Sequence, residues 1–112
     1  MLFPPPSGNL LKPMSDFVSQ IVEKLKPYNP QKIILFGSQV TGKTHEDSDY
    51  DIAIIKDTNK SFHDRLIDVR RLIFTTQPID FFVFTPEEFE KHKNTNLFVK
   101  EIAETGKIVY EN

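Results

Sequence analysis

The 112-residue sequence contains no cysteine, no tryptophan, only four glycines and no long apolar run. The absence of cysteine excludes disulfide bonds and thiolate metal sites. No apolar stretch approaches membrane-spanning length, and the N-terminus lacks the charged-then-apolar layout of a signal peptide, so we expect a cytoplasmic location. The formal net charge is only −2, which gives no general attraction to nucleic acid or to an anionic membrane.

The length predicts a single domain over residues 15–112, preceded by an extended arm over residues 1–14 whose prolines disfavour helix and central strand. Helical periodicity and capping residues predict helices, and short apolar runs bounded by turn residues predict strands. The helices are expected at about 15–26, after Ser61, after Thr85 and at about 95–105. The strands are expected at 31–36, 50–56, 79–84 and 107–111. Together they indicate the α/β (α+β) fold class.

The most informative stretch is residues 37–51, GSQVTGKTHEDSDYD, which joins two predicted strands. Asp49 and Asp51 begin the second strand, and because side chains alternate along a strand they point to the same face. Two neighbouring carboxylates repel each other unless a cation lies between them, and Mg²⁺ prefers oxygen ligands of this kind. Gly37 allows close backbone approach and Ser38 adds a hydroxyl donor, as a phosphate-binding turn requires.

A third carboxylate, Asp80, lies near the start of a predicted strand of apolar and aromatic residues, where burial of an unpaired charge would be costly. If this strand lies beside the one that begins at Asp49 and Asp51, the three side chains approach each other. Three carboxylates around one or two Mg²⁺ ions are typical of phosphoryl and nucleotidyl transfer. The alternative is that Asp80 simply faces water at the start of its strand.

Residues 37–44 also match G-x-x-x-x-G-K-T, the phosphate loop of P-loop NTPases, with Lys43 as its lysine. That motif works at the N-terminus of a helix, which should begin at the lysine and threonine. Here polar residues follow Thr44 without apolar residues at helical spacing, and a predicted strand begins at once. The context favours the Gly-Ser and Asp-x-Asp interpretation, and a P-loop ATP-binding protein is the alternative.

At these positions the chain resembles the minimal nucleotidyltransferase family of the DNA polymerase β-like superfamily, over nearly all of residues 15–111. The residues that carry the resemblance are Gly37-Ser38, Asp49-Tyr50-Asp51 and Asp80. The resemblance implies a nucleotidyltransferase fold, with a small mixed β-sheet and helices packed mainly on one face. It also implies that Asp49, Asp51 and Asp80 are catalytic and hold Mg²⁺, as two ions, while Gly37 and Ser38 contact the nucleoside triphosphate.

One position departs from the family pattern. Many relatives have arginine directly after Gly-Ser, whereas this chain has Gln39, so a guanidinium that could pair with phosphate is missing. Lys43 is a candidate to supply that charge to the nucleotide instead; otherwise it is a solvated loop lysine. The departure bears on the rate of catalysis rather than on the fold.

The resemblance implies a partner as well. Similar proteins are antitoxins that use Mg²⁺ to transfer AMP from ATP to a tyrosine of a HEPN-domain toxin, and this transfer silences the toxin. The expected assembly is a hetero- or homo-oligomer without direct nucleic-acid contact. The alternative is a binding module of weak or no activity that caps its partner. Ten phenylalanines leave room for an exposed apolar patch. Arg65, Arg70 and Arg71 are expected on a solvated helix face or opposite an acidic partner.

Overall fold

The structure is a computed structural model that describes residues 16–37, 40 and 50–112. Over these residues the chain forms four α-helices and a four-stranded sheet. The helices are α1 (Asp16–Leu25), α2 (Phe62–Leu72), α3 (Pro86–His92) and α4 (Leu97–Thr105). The strands are β1 (Lys32–Phe36), β2 (Tyr50–Ile55), β3 (Ile79–Phe84) and β4 (Lys107–Glu111). The predicted fold class is confirmed, and the predicted arm over residues 1–14 lies outside the described residues.

Local capping signals begin three of the helices. The Ser61 side chain accepts a hydrogen bond from a backbone N–H in the first turn of α2 (3.2 Å). Thr85 and Glu88 form a reciprocal capping box at α3, the helix that the sequence predicts after Thr85. Asn96 accepts hydrogen bonds from two backbone N–H groups of α4 (2.9 and 3.2 Å). Because Asn96 is the cap, α4 starts at Leu97 and not at about residue 95.

The strand order is β3-β2-β1-β4, and the sheet is mixed. β1 runs antiparallel to both of its neighbours, whereas β2 and β3 are parallel. Parallel neighbours need a crossover connection, which α2 supplies. As a result β2 and β3 both begin at the end of the sheet where β1 finishes.

Side-chain alternation gives the sheet two apolar faces. On one face α1 and α2 pack against Ile33, Leu35, Ile52, Ile54, Phe81 and Val83. On the other face α3 and α4 pack against Ile34, Phe36, Ala53, Ile55, Phe82 and Phe84. The larger cluster and the two longer helices share one face, and the two shorter helices cover part of the other. No helix in the described ranges is long and apolar enough to cross a membrane.

Gly106 ends α4, although not for the reason that is usual at a helix C-terminus. A glycine at a helix C-terminus usually supplies a left-handed dihedral, but Gly106 has φ −68°, which any residue can adopt. A Cβ at this position would instead overlap the carbonyl oxygen of Ile102 and press on the Cγ2 atom of Ile34. The close approach of α4 to β1 is therefore what requires glycine.

Candidate functional site

Two of the three predicted catalytic carboxylates lie side by side. Asp51 and Asp80 are direct register partners in the parallel pair of β2 and β3, so their Cα atoms lie about 5 Å apart. By register both side chains belong to the sheet face that α3 and α4 partly cover. Asp80 is exposed and Asp51 is half-buried. Two carboxylates on neighbouring strands of one face are an arrangement that can supply oxygen ligands to a hard cation.

Gly37 adjoins this pair from the neighbouring strand. It follows the last residue of β1 and has φ 79°, a dihedral that favours glycine. A Cβ at position 37 would overlap Oδ2 of Asp51 and lie 3.2 Å from its Cγ. The Asp51 carboxylate therefore lies close against the Gly37 backbone, and position 37 requires glycine for two independent reasons. The predicted contact of Gly37 with the nucleotide stays a prediction.

The other predicted site residues lie outside the described residues: Ser38, Lys43 and Asp49, together with Gln39. Their roles stay predictions. Within the described residues no group of three or more carboxylate or histidine side chains is placed to hold a metal ion. The described part of the site therefore consists of the carboxylate pair and the glycine turn.

The family model described as "Polymerase beta, Nucleotidyltransferase" matches residues 19–112, a range that contains Gly37, Asp51 and Asp80. The chain belongs to this nucleotidyltransferase family. Its general chemistry is therefore nucleotidyl transfer, and the side-by-side carboxylates are the kind of site that this chemistry needs. No sequence among the curated proteins matches the chain.

The fold of this nucleotidyltransferase also occurs in a solved structure. It is similar to the 1.40 Å crystal structure of a candidate nucleotidyltransferase from Sulfolobus solfataricus, with a TM-score of 0.63. The two proteins share 20% sequence identity, and the likeness covers 85% of this chain and 78% of that chain. At this identity the similarity shows the fold alone.

A cavity of about 310 Å³ opens beside Asp80 in this nucleotidyltransferase. The end of α2, the loop over residues 75–78 and the start of β3 form its walls, and its polar lining comes from Arg70, Thr75, Thr76, Gln77 and Asp80. The Arg70 guanidinium lies 6.0 Å from the centre of the Phe81 ring, within range of a cation–π contact. Arg70, which the sequence analysis placed on a solvated helix face, therefore lines a cavity on the α1–α2 side of β3, opposite to the face that carries the Asp80 side chain.

Arg65 contradicts the expectation of a solvated face, because it is only 6% exposed. Its guanidinium donates to both carboxylate oxygens of Glu88 (2.7 and 3.1 Å) and to the carbonyl of Val83 (3.1 Å). These hydrogen bonds from Arg65 hold the pKa of Glu88 below its ordinary value. Arg65 therefore ties the crossover helix α2 to the strand that carries Asp80. Helical periodicity in the sequence does not predict this contact, because the partners of Arg65 lie in other elements of the chain.

Proposed function

We propose that this protein transfers AMP from ATP to a hydroxyl group of a partner protein. The observation that carries the proposal is the placement of Asp51 and Asp80 as direct neighbours on one face of the sheet, beside the glycine turn that follows β1. Membership of the nucleotidyltransferase family supports the same chemistry.

The donor groups present at the site fit Mg²⁺. Carboxylate oxygens are the ligands that this hard cation prefers, and Asp51 keeps its place beside the turn only because Gly37 has no Cβ. We propose that Asp51 and Asp80, with Asp49, hold two Mg²⁺ ions. Bound there, Mg²⁺ would neutralise phosphate charge and stabilise the attacking and leaving oxygens.

In the proposed reaction Gly37, Ser38 and Lys43 bind the triphosphate of ATP. The oxygen of the acceptor hydroxyl attacks the α-phosphorus, and Asp80 accepts the proton that this oxygen loses. The new bond joins the acceptor oxygen to AMP. The bond between the α-phosphorus and the oxygen that bridges to the β-phosphate breaks, and pyrophosphate leaves with the bonding electron pair.

The acceptor that we propose is a tyrosine of a HEPN-domain toxin, which would make this protein the antitoxin of a toxin–antitoxin pair. The family resemblance is the source of this partner. The placement of Asp80 supports a side-chain hydroxyl as the acceptor, because Asp80 is exposed and lies on an edge strand, where a partner protein can approach it.

The test is a labelling experiment with the purified protein, Mg²⁺ and the HEPN-domain toxin from the same cell. ATP labelled at the α-phosphate should label the toxin, and ATP labelled at the γ-phosphate should not. Asp80→Asn and Asp51→Asn should abolish labelling while the far-UV circular dichroism spectrum stays unchanged. Asp57→Asn is the matched control, because Asp57 is an exposed aspartate just beyond the far end of β2, and it should keep full labelling.

Three results would reject the proposal. An Asp80→Asn protein that labels the toxin at the normal rate would remove the proposed proton acceptor. If phosphate is released from γ-labelled ATP by the Asp51→Asn protein but not by the Lys43→Ala protein, the result would favour the P-loop interpretation. Absence of label on the toxin, with the toxin still neutralised, would favour the binding module.

The binding module is the second candidate function, and one observation favours it. Leu97 begins α4, the helix that packs on the carboxylate face of the sheet, and it is 84% exposed, as an apolar residue that meets a partner would be. If capping alone neutralises the toxin, the double substitution Asp51→Asn with Asp80→Asn should neutralise it as well as the wild type does. If transfer is required, the same variant should bind the toxin without silencing it.

A further inference from the structure

Three phenylalanine rings lie beside the carboxylate pair, and we call Phe36, Phe82 and Phe98 the aromatic cluster. Phe36 is the register partner of Asp51 on β1, and Phe82 follows Asp80 by two residues on β3. Both rings therefore share the sheet face of the carboxylates. Since two residues of a strand span roughly 7 Å, the aromatic cluster begins directly next to the proposed catalytic groups.

Phe98, in the first turn of α4, packs on the other two rings. Its ring centroid lies 5.6 Å from that of Phe36 at an interplanar angle of 78°, and 5.0 Å from that of Phe82 at 63°. Contacts of this edge-to-face kind fix the orientation of an aromatic ring. Phe36 is 4% exposed, whereas Phe98 is 44% exposed. The core therefore holds Phe98 in place while much of its ring still faces solvent.

A fixed and half-exposed aromatic ring beside a phosphate-binding centre has a definite chemical use. Nucleobases stack on aromatic side chains, and the contact tolerates any base because every base has a π-face. A nucleotide whose phosphates lie at Asp51 and Asp80 carries its base one ribose away from them. The aromatic cluster supplies an apolar surface in that range, whereas the cavity on the other side of Asp80 is lined by polar groups such as Arg70.

We propose that Phe98 stacks against the base of the nucleotide. The inference rests on the proposed function, since it takes the phosphates to bind at the carboxylates. Phe98 is a binding residue and takes no part in proton transfer.

The test measures affinity and needs no turnover. Calorimetric titration in Mg²⁺ would compare an ATP analogue with a methylene bridge between the α- and β-phosphates against ribose 5-triphosphate, which has no base. Phe98→Leu keeps an apolar side chain and removes the ring. It should lower the affinity for the ATP analogue by about tenfold and change the affinity for ribose 5-triphosphate by less than about twofold. Phe98→Tyr keeps the ring and should retain wild-type affinity for both ligands.

Phe62→Leu is the matched control. Phe62 is 47% exposed and its ring packs against Phe84 at a centroid distance of 6.4 Å, so it resembles Phe98 in type and exposure. It lies, however, at the end of β3 opposite to Asp80. Phe62→Leu should therefore leave the affinity for both ligands unchanged, which separates loss of the base contact from a general effect of removing a surface ring.

Each other outcome has a distinct meaning. Equal wild-type affinity for both ligands, or an unchanged affinity of Phe98→Leu for the ATP analogue, would overturn the stacking proposal and leave the proposed function standing. An equal loss for both ligands in Phe98→Leu would show that Phe98 supports the site without contacting the base. A higher KM for the toxin at unchanged nucleotide affinity would assign Phe98 to the acceptor. A wild-type protein that binds neither ligand would overturn the proposed function itself.

Discussion

Replacing Arg65 with alanine should lower the free energy of unfolding by about 2.5 kcal/mol. The Arg65 side chain is 7% exposed, forms an ion pair with Glu88 and donates to the carbonyl of Val83. A hydrogen bond to a charged group contributes about 1.5–3 kcal/mol, and a buried carbonyl left without a donor costs about 1–3 kcal/mol. Because the Glu88 side chain is 39% exposed and can be hydrated after the substitution, the lower end of each range applies.

Urea unfolding followed by far-UV circular dichroism measures this loss in a protein without tryptophan. Arg71→Ala is the matched control, because Arg71 lies in the same helix and is exposed; it should change the stability by less than about 0.5 kcal/mol. Arg65→Lys should lower the free energy of unfolding by about 1.5 kcal/mol, because an ammonium keeps the charge but cannot form the paired hydrogen bonds of a guanidinium.

Equal stability of the Arg65→Ala and Arg71→Ala proteins would refute the reasoning. The double substitution Arg65→Ala with Glu88→Gln adds a sharper check. If the ion pair causes the loss of stability, the double variant should lose about 1 kcal/mol less than the sum of the losses measured for the two single variants. Strict additivity would show that the two side chains act independently.

Gly37→Ala should destabilise the protein and abolish transfer, because φ is 79° and the new Cβ would overlap the Asp51 carboxylate. Unfolding and labelling assays measure the two effects, and a stable, active variant would contradict the close approach of Asp51 to Gly37. Gly106→Ala should cost about 1–3 kcal/mol through its contact with Ile34, and an unchanged melting temperature would contradict that crowding. Glu88→Gln should be less stable than wild type at neutral pH and converge with it in acid. Arg65 depresses the folded-state pKa of Glu88 from 4.5, so the stabilisation is present above that value and is lost as pH falls through the folded pKa. A pH-independent difference in unfolding free energy would contradict this linkage.

The elements of the fold could be predicted because their signals are local. Ser61 and Thr85 mark helix starts through hydrogen bonds within one turn, and the period-two apolar pattern of the strands needs no knowledge of their neighbours. The sequence predicts that Asp51 and Asp80 are neighbours only if β3 lies beside β2, and it does not show whether the two strands pair. The register of the parallel pair confirms that condition.

The contacts that sequence patterns missed are tertiary. Arg65 falls at a helix position that is polar by residue type, yet its aliphatic stem is buried and its charge is paired with Glu88 on another helix. Phe98 looks like any apolar residue of α4, and only the docking of that helix on β1 and β3 joins it to Phe36 and Phe82. Neither arrangement leaves a periodic trace, because the partners are set by the packing of distant segments.

The crossover between β2 and β3 links the site to the lifetime of the protein. Asp51 and Asp80 become neighbours only when α2 has docked across the sheet, so a ligand that bridges both carboxylates binds the native chain and not the unfolded one. Such a ligand raises the free energy of unfolding by about 2.7 kcal/mol at about one hundred times its dissociation constant. A chain without such a ligand would unfold more often and would be degraded sooner. Abundance in the cell would then follow occupancy of the site, with no change in the rate of synthesis.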